Sequence, residues 1–115
     1  MNKPIWNGLT TDGLVAEDQQ SIALWAEQTF GKPTQLRAAT RMNEEVAELL
    51  AKLSNPSVSN AAIVEEVADI QIVLYVLATR LHMDVQAEVE RKMKVNRERK
   101  WALDGSGCGQ HVEGE

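Results

Sequence analysis

The chain has 115 residues, enough for a single domain (1–115) with a real core. A formal charge of −5 argues against a nucleic-acid-coating surface, and a single cysteine, Cys108, excludes an intramolecular disulfide and a cysteine zinc cluster. The cysteine usage suits a reducing cytoplasm, the start Met1–Gly8 carries no signal-peptide core, and the apolar run after Asp69 is too short to cross a membrane, so the expectation is a cytoplasmic protein.

Residues 1–13, with Pro4, Gly8 and Gly13, read as an irregular N-terminal arm. The spacing of Val15, Ile22, Trp25 and Ala26 predicts a first helix over Leu14–Phe30, closed by Gly31-Lys32-Pro33. Thr34 is the expected N-cap of a second helix, Gln35–Leu53, in which Ala39, Met42, Val46, Leu49 and Leu53 form a stripe bordered by Glu45. Ser54–Ser57 is a loop by composition, after which Ser59 or Asn60 caps a third helix reaching Leu81. Its stretch Ile70–Ala78 is apolar nearly all round, as in the central helix of a bundle. Asp84 caps a fourth helix, Val85–Trp101. The C-terminal tail, residues 102–115, is too rich in glycine for a regular helix, and no strand alternation is visible. Trp101, Asp104 and His111 punctuate this end, and Trp101 is expected to tether the tail over a cleft or a neighbouring subunit. The fold class is therefore all-α, a four-helix arrangement. Its third helix is apolar on more sides than three neighbours would cover, which implies a homo-oligomer.

Two acidic signatures dominate the middle of the chain, Glu44-Glu45-Val46-Ala47-Glu48 and Glu65-Glu66-Val67-Ala68-Asp69. Each places two carboxylates three residues apart, side by side on a helix. Glu66 and Asp69 point the same way as Ile70, Val73 and Leu77, towards the core rather than solvent. Four converging carboxylates repel one another unless protons or cations intervene, and all-oxygen ligands suit magnesium or manganese. Glu45, Glu48, Glu66 and Asp69 thus read as a divalent-metal site on two helices. Glu44 and Glu65 read equally well as surface charges.

On the fourth helix Lys92, Asn96 and Arg99 recur at i, i+4 and i+7. Such a stripe would hold polyphosphate oxygens that metals leave free, although a solvated basic helix end explains it equally well. No Ser-His-Asp or Cys-His nucleophile and no P-loop motif is present, so metal-assisted water attack is the economical chemistry.

Glu45-x-x-Glu48, Glu66-x-x-Asp69 and Lys92-x-x-x-Asn96-x-x-Arg99, in that order and following Pro33, resemble the MazG-like all-α nucleotide pyrophosphohydrolases over Lys32–Trp101. The ending, through Asp104-Gly105 to Gln110-His111-Val112, looks like small stand-alone members of that family from phages and mobile elements. The resemblance implies hydrolysis of a nucleoside triphosphate to monophosphate and pyrophosphate, often to clear surplus or non-canonical deoxynucleotides. It implies Mg2+, with Mn2+ as a substitute, held by Glu45, Glu48, Glu66 and Asp69. It implies Lys92 and Asn96, with Arg99 beside them, on phosphates or sugar, and Glu44 orienting a water. It also implies a homodimer or homotetramer, with neither nucleic acid nor membrane as partner. Relatives stack the base on aromatic residues near the first helix, which makes Trp25 a candidate; a core position for Trp25 is the competing reading.

Three alternatives stand beside this reading. A phosphoribosyl-ATP pyrophosphohydrolase shares the fold. A di-iron carboxylate bundle is disfavoured because neither His82 nor His111 follows a glutamate at the Glu-x-x-His spacing. A non-catalytic helical interaction module would keep the acids as surface charge.

Overall fold

A computed structural model describes residues 16–112. The expected N-terminal arm, and Leu14 and Val15 of the expected first helix, lie outside the described residues. The chain divides into two compact units, one up to Met83 and one from Asp84 onwards. No helix among the described residues is long and apolar enough to cross a membrane.

The first unit holds three helices, α1 (Gln19–Phe30), α2 (Gln35–Leu53) and α3 (Asn60–Arg80). The start of α1 differs from the expected Leu14, because residues 16–18 are non-helical and Asp18 is the cap. Its side chain accepts from the Ser21 backbone N–H while Ser21 Oγ accepts from the Asp18 N–H, a reciprocal capping box that fixes the first turn. The helix stops at Gly31, whose φ of 87° lies in the left-handed region that favours glycine. Thr34 and Ser59 cap α2 and α3 as expected, accepting from the N–H groups of Arg37 and Ala62. Between them Asn55 Oδ1 accepts from the backbone N–H and hydroxyl of Ser57, which turns the chain so that α3 packs back along α2. α1 packs on α3 as well, and Arg80 Nε donates to the Pro33 carbonyl at 2.9 Å, fastening the α1–α2 connection to the end of α3.

The interior of this unit is narrow. Its buried hydrophobic residues are Ala26, Ala38 and Ala78, and the buried charged ones are Glu45 and Glu66. Glu45 therefore sits on the seam of α2, not at the border of the apolar stripe. Leu53, expected in that stripe, is 57% exposed, and Val64 and Val67 of α3 are more than half exposed.

The second unit holds α4 (Val85–Glu98) and an antiparallel pair, β1 (Trp101–Leu103) and β2 (Gly109–His111), with Trp101 opposite His111 and Leu103 opposite Gly109. Asp84 caps α4 as expected, but the helix ends at Glu98 rather than Trp101. Arg99 is extended, at φ −81° and ψ 153°, so it does not continue the helical face of Lys92 and Asn96. The glycine-rich segment is not helical, as expected, but it carries a strand pair where no strand alternation is visible in the sequence, so the described residues are helical with one small hairpin. Trp101 tethers that hairpin: its indole N–H donates to the Asn96 carbonyl at 2.8 Å, and its ring meets His111 edge to face. Asp104 accepts from the Ser106 N–H, and Gly105 and Gly107 take φ values of 85° and 87°, which close the loop between the strands.

Replacing Ser59 by alanine removes the cap of the helix that carries Glu66. Ser59→Ala is expected to lower unfolding free energy by about 1 kcal/mol, with Ser59→Asn near wild type, in urea denaturation.

Candidate active site

The α2–α3 hairpin brings the acidic signatures together. Glu45 and Glu48 lie one turn apart on α2, Glu66 faces them from α3, and carboxylate oxygens from all three lie within 4.8 Å of one another. Glu45 and Glu66 are each 3% exposed, whereas Glu48 is open to solvent. Asp69 does not join this group. It is exposed and lines, with Glu45, the cavity beside the cluster. Glu44 points elsewhere: half exposed, it pairs with Arg37 at 3.6 Å and Arg41 at 3.5 Å. Glu65 is exposed.

Two buried carboxylates with a third, exposed one at this separation need compensation. Two cations supply part of it. Arg41, four residues before Glu45, pairs with Glu45 Oε1 through Nη2, and Lys52 Nζ donates to Glu66 Oε1 at 2.9 Å. Spacing was the signal for both. Arg41, Glu45, Glu48 and Lys52 fall at i, i+4, i+7 and i+11 on α2, one face of a helix.

A proton supplies the rest. The hydrogen bond with Glu66, followed by burial, raises the Glu45 carboxyl from an ordinary 4.5 to about 7, with Arg41 opposing and the charges of Glu66 and Glu48 adding. The same hydrogen bond, together with Lys52, lowers Glu66. The pair therefore favours a proton on Glu45 over one on Glu66. Apart from the Glu45 carboxyl, Glu66 Oε2 is buried with no donor among the described groups. A close-set trio of hard oxygen donors, one oxygen of it orphaned, fits a divalent ion such as Mg2+ or Mn2+.

The adjoining cavity has a volume of about 710 Å3, within the range of small-molecule sites. Arg37, Arg41, Glu45 and Asp69 give it a charged side, Trp25 and Phe30 an aromatic one. Trp25 is 54% exposed, its ring set edge to face on Phe30 at 5.5 Å, so it is not a core residue. Sequence reasoning missed Arg37 and Arg41 as site residues. In the second unit Lys92 is exposed on α4, and Asn96 is partly buried with no partner for Oδ1.

These features define a helical protein with a carboxylate cluster suited to a divalent ion beside a cavity of small-molecule size. The chain belongs to the MazG-like family, whose model matches residues 33–110. It is 33% identical over 100 residues to a dATP/dGTP diphosphohydrolase of Cyanophage S-2L, covering 87% of this chain and 90% of that protein. It has the same identity to a dATP/dGTP diphosphohydrolase of Salmonella phage PMBT28, of which it spans only 32%. The structure matches that of a Cyanophage S-2L MazG-like pyrophosphohydrolase bound to dGDP and three catalytic Mn2+ ions per active site. The TM-score is 0.67 at 31% identity, over 84% of this chain and 89% of that one.

The raised Glu45 carboxyl has a consequence for metal-free stability. The folded state holds this proton more tightly than the unfolded chain, so the contribution is full below about 4.5 and is lost as pH rises through about 7. Glu66, shifted the other way, contributes in full above its ordinary 4.5 and loses that contribution only as pH falls below it, so it adds no slope in this window. In chelator, the melting temperature is expected to fall between pH 5 and pH 7.5, and Glu45→Gln should flatten that slope.

Proposed function

We propose that the protein hydrolyses (deoxy)nucleoside triphosphates to monophosphate and pyrophosphate with a divalent metal. The observation that carries this is the Glu45–Glu48–Glu66 cluster, whose Glu45 lines a cavity with charged and aromatic residues in its wall. Two relatives named for dATP and dGTP, and a structural neighbour bound to dGDP, support a purine deoxynucleotide as the substrate. That substrate suits a house-cleaning role in the cytoplasm.

In this reading Glu45, Glu48 and Glu66 hold Mg2+, or Mn2+ in its place, and Asp69 joins them from the cavity side. The metal supplies charge neutralisation at the phosphates and acidifies a bound water. Arg37 and Arg41 take phosphate oxygens as bidentate donors, and Arg41 leaves Glu45 to do so. Trp25, already exposed, offers its face to the base. Glu44 orients water beside the first ligand. Lys92 and Asn96 contact phosphates or sugar, with Arg99 off their helical face in a lesser role. The family match runs through both units, so the two are read as one functional domain.

The protein is also read as a homodimer or homotetramer. Leu36, Leu50, Leu53, Val64 and Val67 are each more than half exposed, while the buried hydrophobic residues are alanines. A second copy would cover these side chains.

Chromatography of reactions with a panel of deoxynucleoside triphosphates tests the activity. Monophosphate and pyrophosphate are expected with Mg2+ or Mn2+ and neither product in chelator; diphosphate and orthophosphate would reject the reading. Glu48→Gln, at an exposed position, is expected to abolish turnover while leaving the metal-free melting temperature at or above wild type.

Two further variants separate base from phosphate. Trp25→Ala should raise KM for the preferred base, whereas Lys92→Ala should lower kcat/KM for every base alike, by roughly tenfold to a hundredfold. Unchanged kinetics in Lys92→Ala would make α4 a solvated helix end.

A further inference from the structure

Lys52 has no role in the reading above. It lies on α2 one turn beyond Glu48 and two beyond Glu45, and its ammonium donates to Glu66 Oε1 at 2.9 Å. The two ends of this ion pair differ in environment. The Glu66 side chain is 3% exposed and cannot turn to water, whereas the Lys52 side chain is 37% exposed and can. The Lys52 ammonium also feels the charges of Glu48 and Glu65, so it stands at the focus of the acidic signatures. It does not line the cavity.

We propose that Lys52 is the resident countercation of the metal-free cluster, bound to Glu66 until a divalent ion displaces its ammonium into solvent. The inference rests on reading Glu45, Glu48 and Glu66 as metal ligands. Its physical basis is competition for one oxygen. A hard divalent ion needs the lone pairs of Glu66, and an ammonium hydrogen-bonded to that carboxylate stands beside any ion the carboxylate binds. The orphaned Glu66 Oε2 gives the incoming ion a first foothold, and the flexible stem of Lys52 lets the ammonium leave without moving α2. Lys52 is thus a positioning residue. It holds Glu66 in place in the metal-free protein and weakens metal binding by as much as it stabilises that form.

The test is a thermodynamic cycle on the full chain without nucleotide. Mn2+ binding is measured by calorimetry, and melting temperatures are taken in chelator and in saturating Mn2+, for wild type, Lys52→Met and Lys52→Arg. Lys52→Met should melt lower than wild type in chelator, because Glu66 loses its partner. The same variant should bind Mn2+ more tightly, by about tenfold, the worth of one charge-assisted hydrogen bond. In saturating Mn2+ its melting temperature should return to that of wild type. Lys52→Arg, which keeps the charge, should stay near wild type throughout.

A structural ion pair that persists beside the metal would behave differently: Lys52→Met would then melt lower in both conditions, with Mn2+ affinity unchanged or weaker, and that result overturns the proposal. Wild type that binds Mn2+ with no gain in the variant overturns this proposal alone. Absence of Mn2+ binding in both overturns the metal-site reading with it.

Discussion

Two glutamates buried face to face across α2 and α3 set the terms for the rest of the molecule. Glu45 and Glu66 are as buried as Ala38, at the place in a helical hairpin where leucines ordinarily meet. Like charges in such a position are tolerated only with compensation on every side: a proton favoured on Glu45, Arg41 on one carboxylate, Lys52 on the other. The interior is correspondingly lean, with alanines where the helices approach and large apolar side chains left outside. A hairpin built this way gives up packing energy for a preformed set of oxygen donors.

The legible part of this arrangement was the part written in short-range periodicity. Thr34, Ser59 and Asp84 announce their helices because a side-chain oxygen at an N-cap acts on a backbone N–H only two or three residues away. The two acidic pairs announce a site because residues three apart share a helix face. Spacing does not say which member of a pair reaches the seam between helices. Glu66 does and Asp69 does not, because one further turn carries Asp69 out to the cavity wall.

What the sequence hid follows from tertiary contacts. Arg97 to Trp101 has ordinary helix propensity, yet α4 stops at Glu98. The Trp101 indole donates to the Asn96 carbonyl, a bond available only if the chain turns back, and the Trp101–His111 pairing then organises the glycine-rich segment as a hairpin. Gly105 and Gly107, which argue against helix, are what the connecting loop requires. The countercations were hidden for a similar reason. A lysine or arginine on an acidic helix reads as a solvated charge until the partner helix shows which carboxylate it meets.

The two countercations sit at different places, and this separates the two ligands the site would take. Arg41 lines the cavity, so on the proposed function phosphate oxygens entering there would meet its guanidinium and draw it from Glu45. Lys52 lies off the cavity and on Glu66, the carboxylate with the orphaned oxygen, so it is the partner that the proposed metal would meet. Glu45, whose carboxyl is raised by Glu66 and by burial, would have to give up its proton for a cation to bind there. In the proposed reading, metal and substrate would displace different partners from the same two glutamates. Each leaves the carboxylates more ready for the other, since a phosphate that takes Arg41 uncovers Glu45 for metal, and a metal that displaces Lys52 adds positive charge for the phosphates.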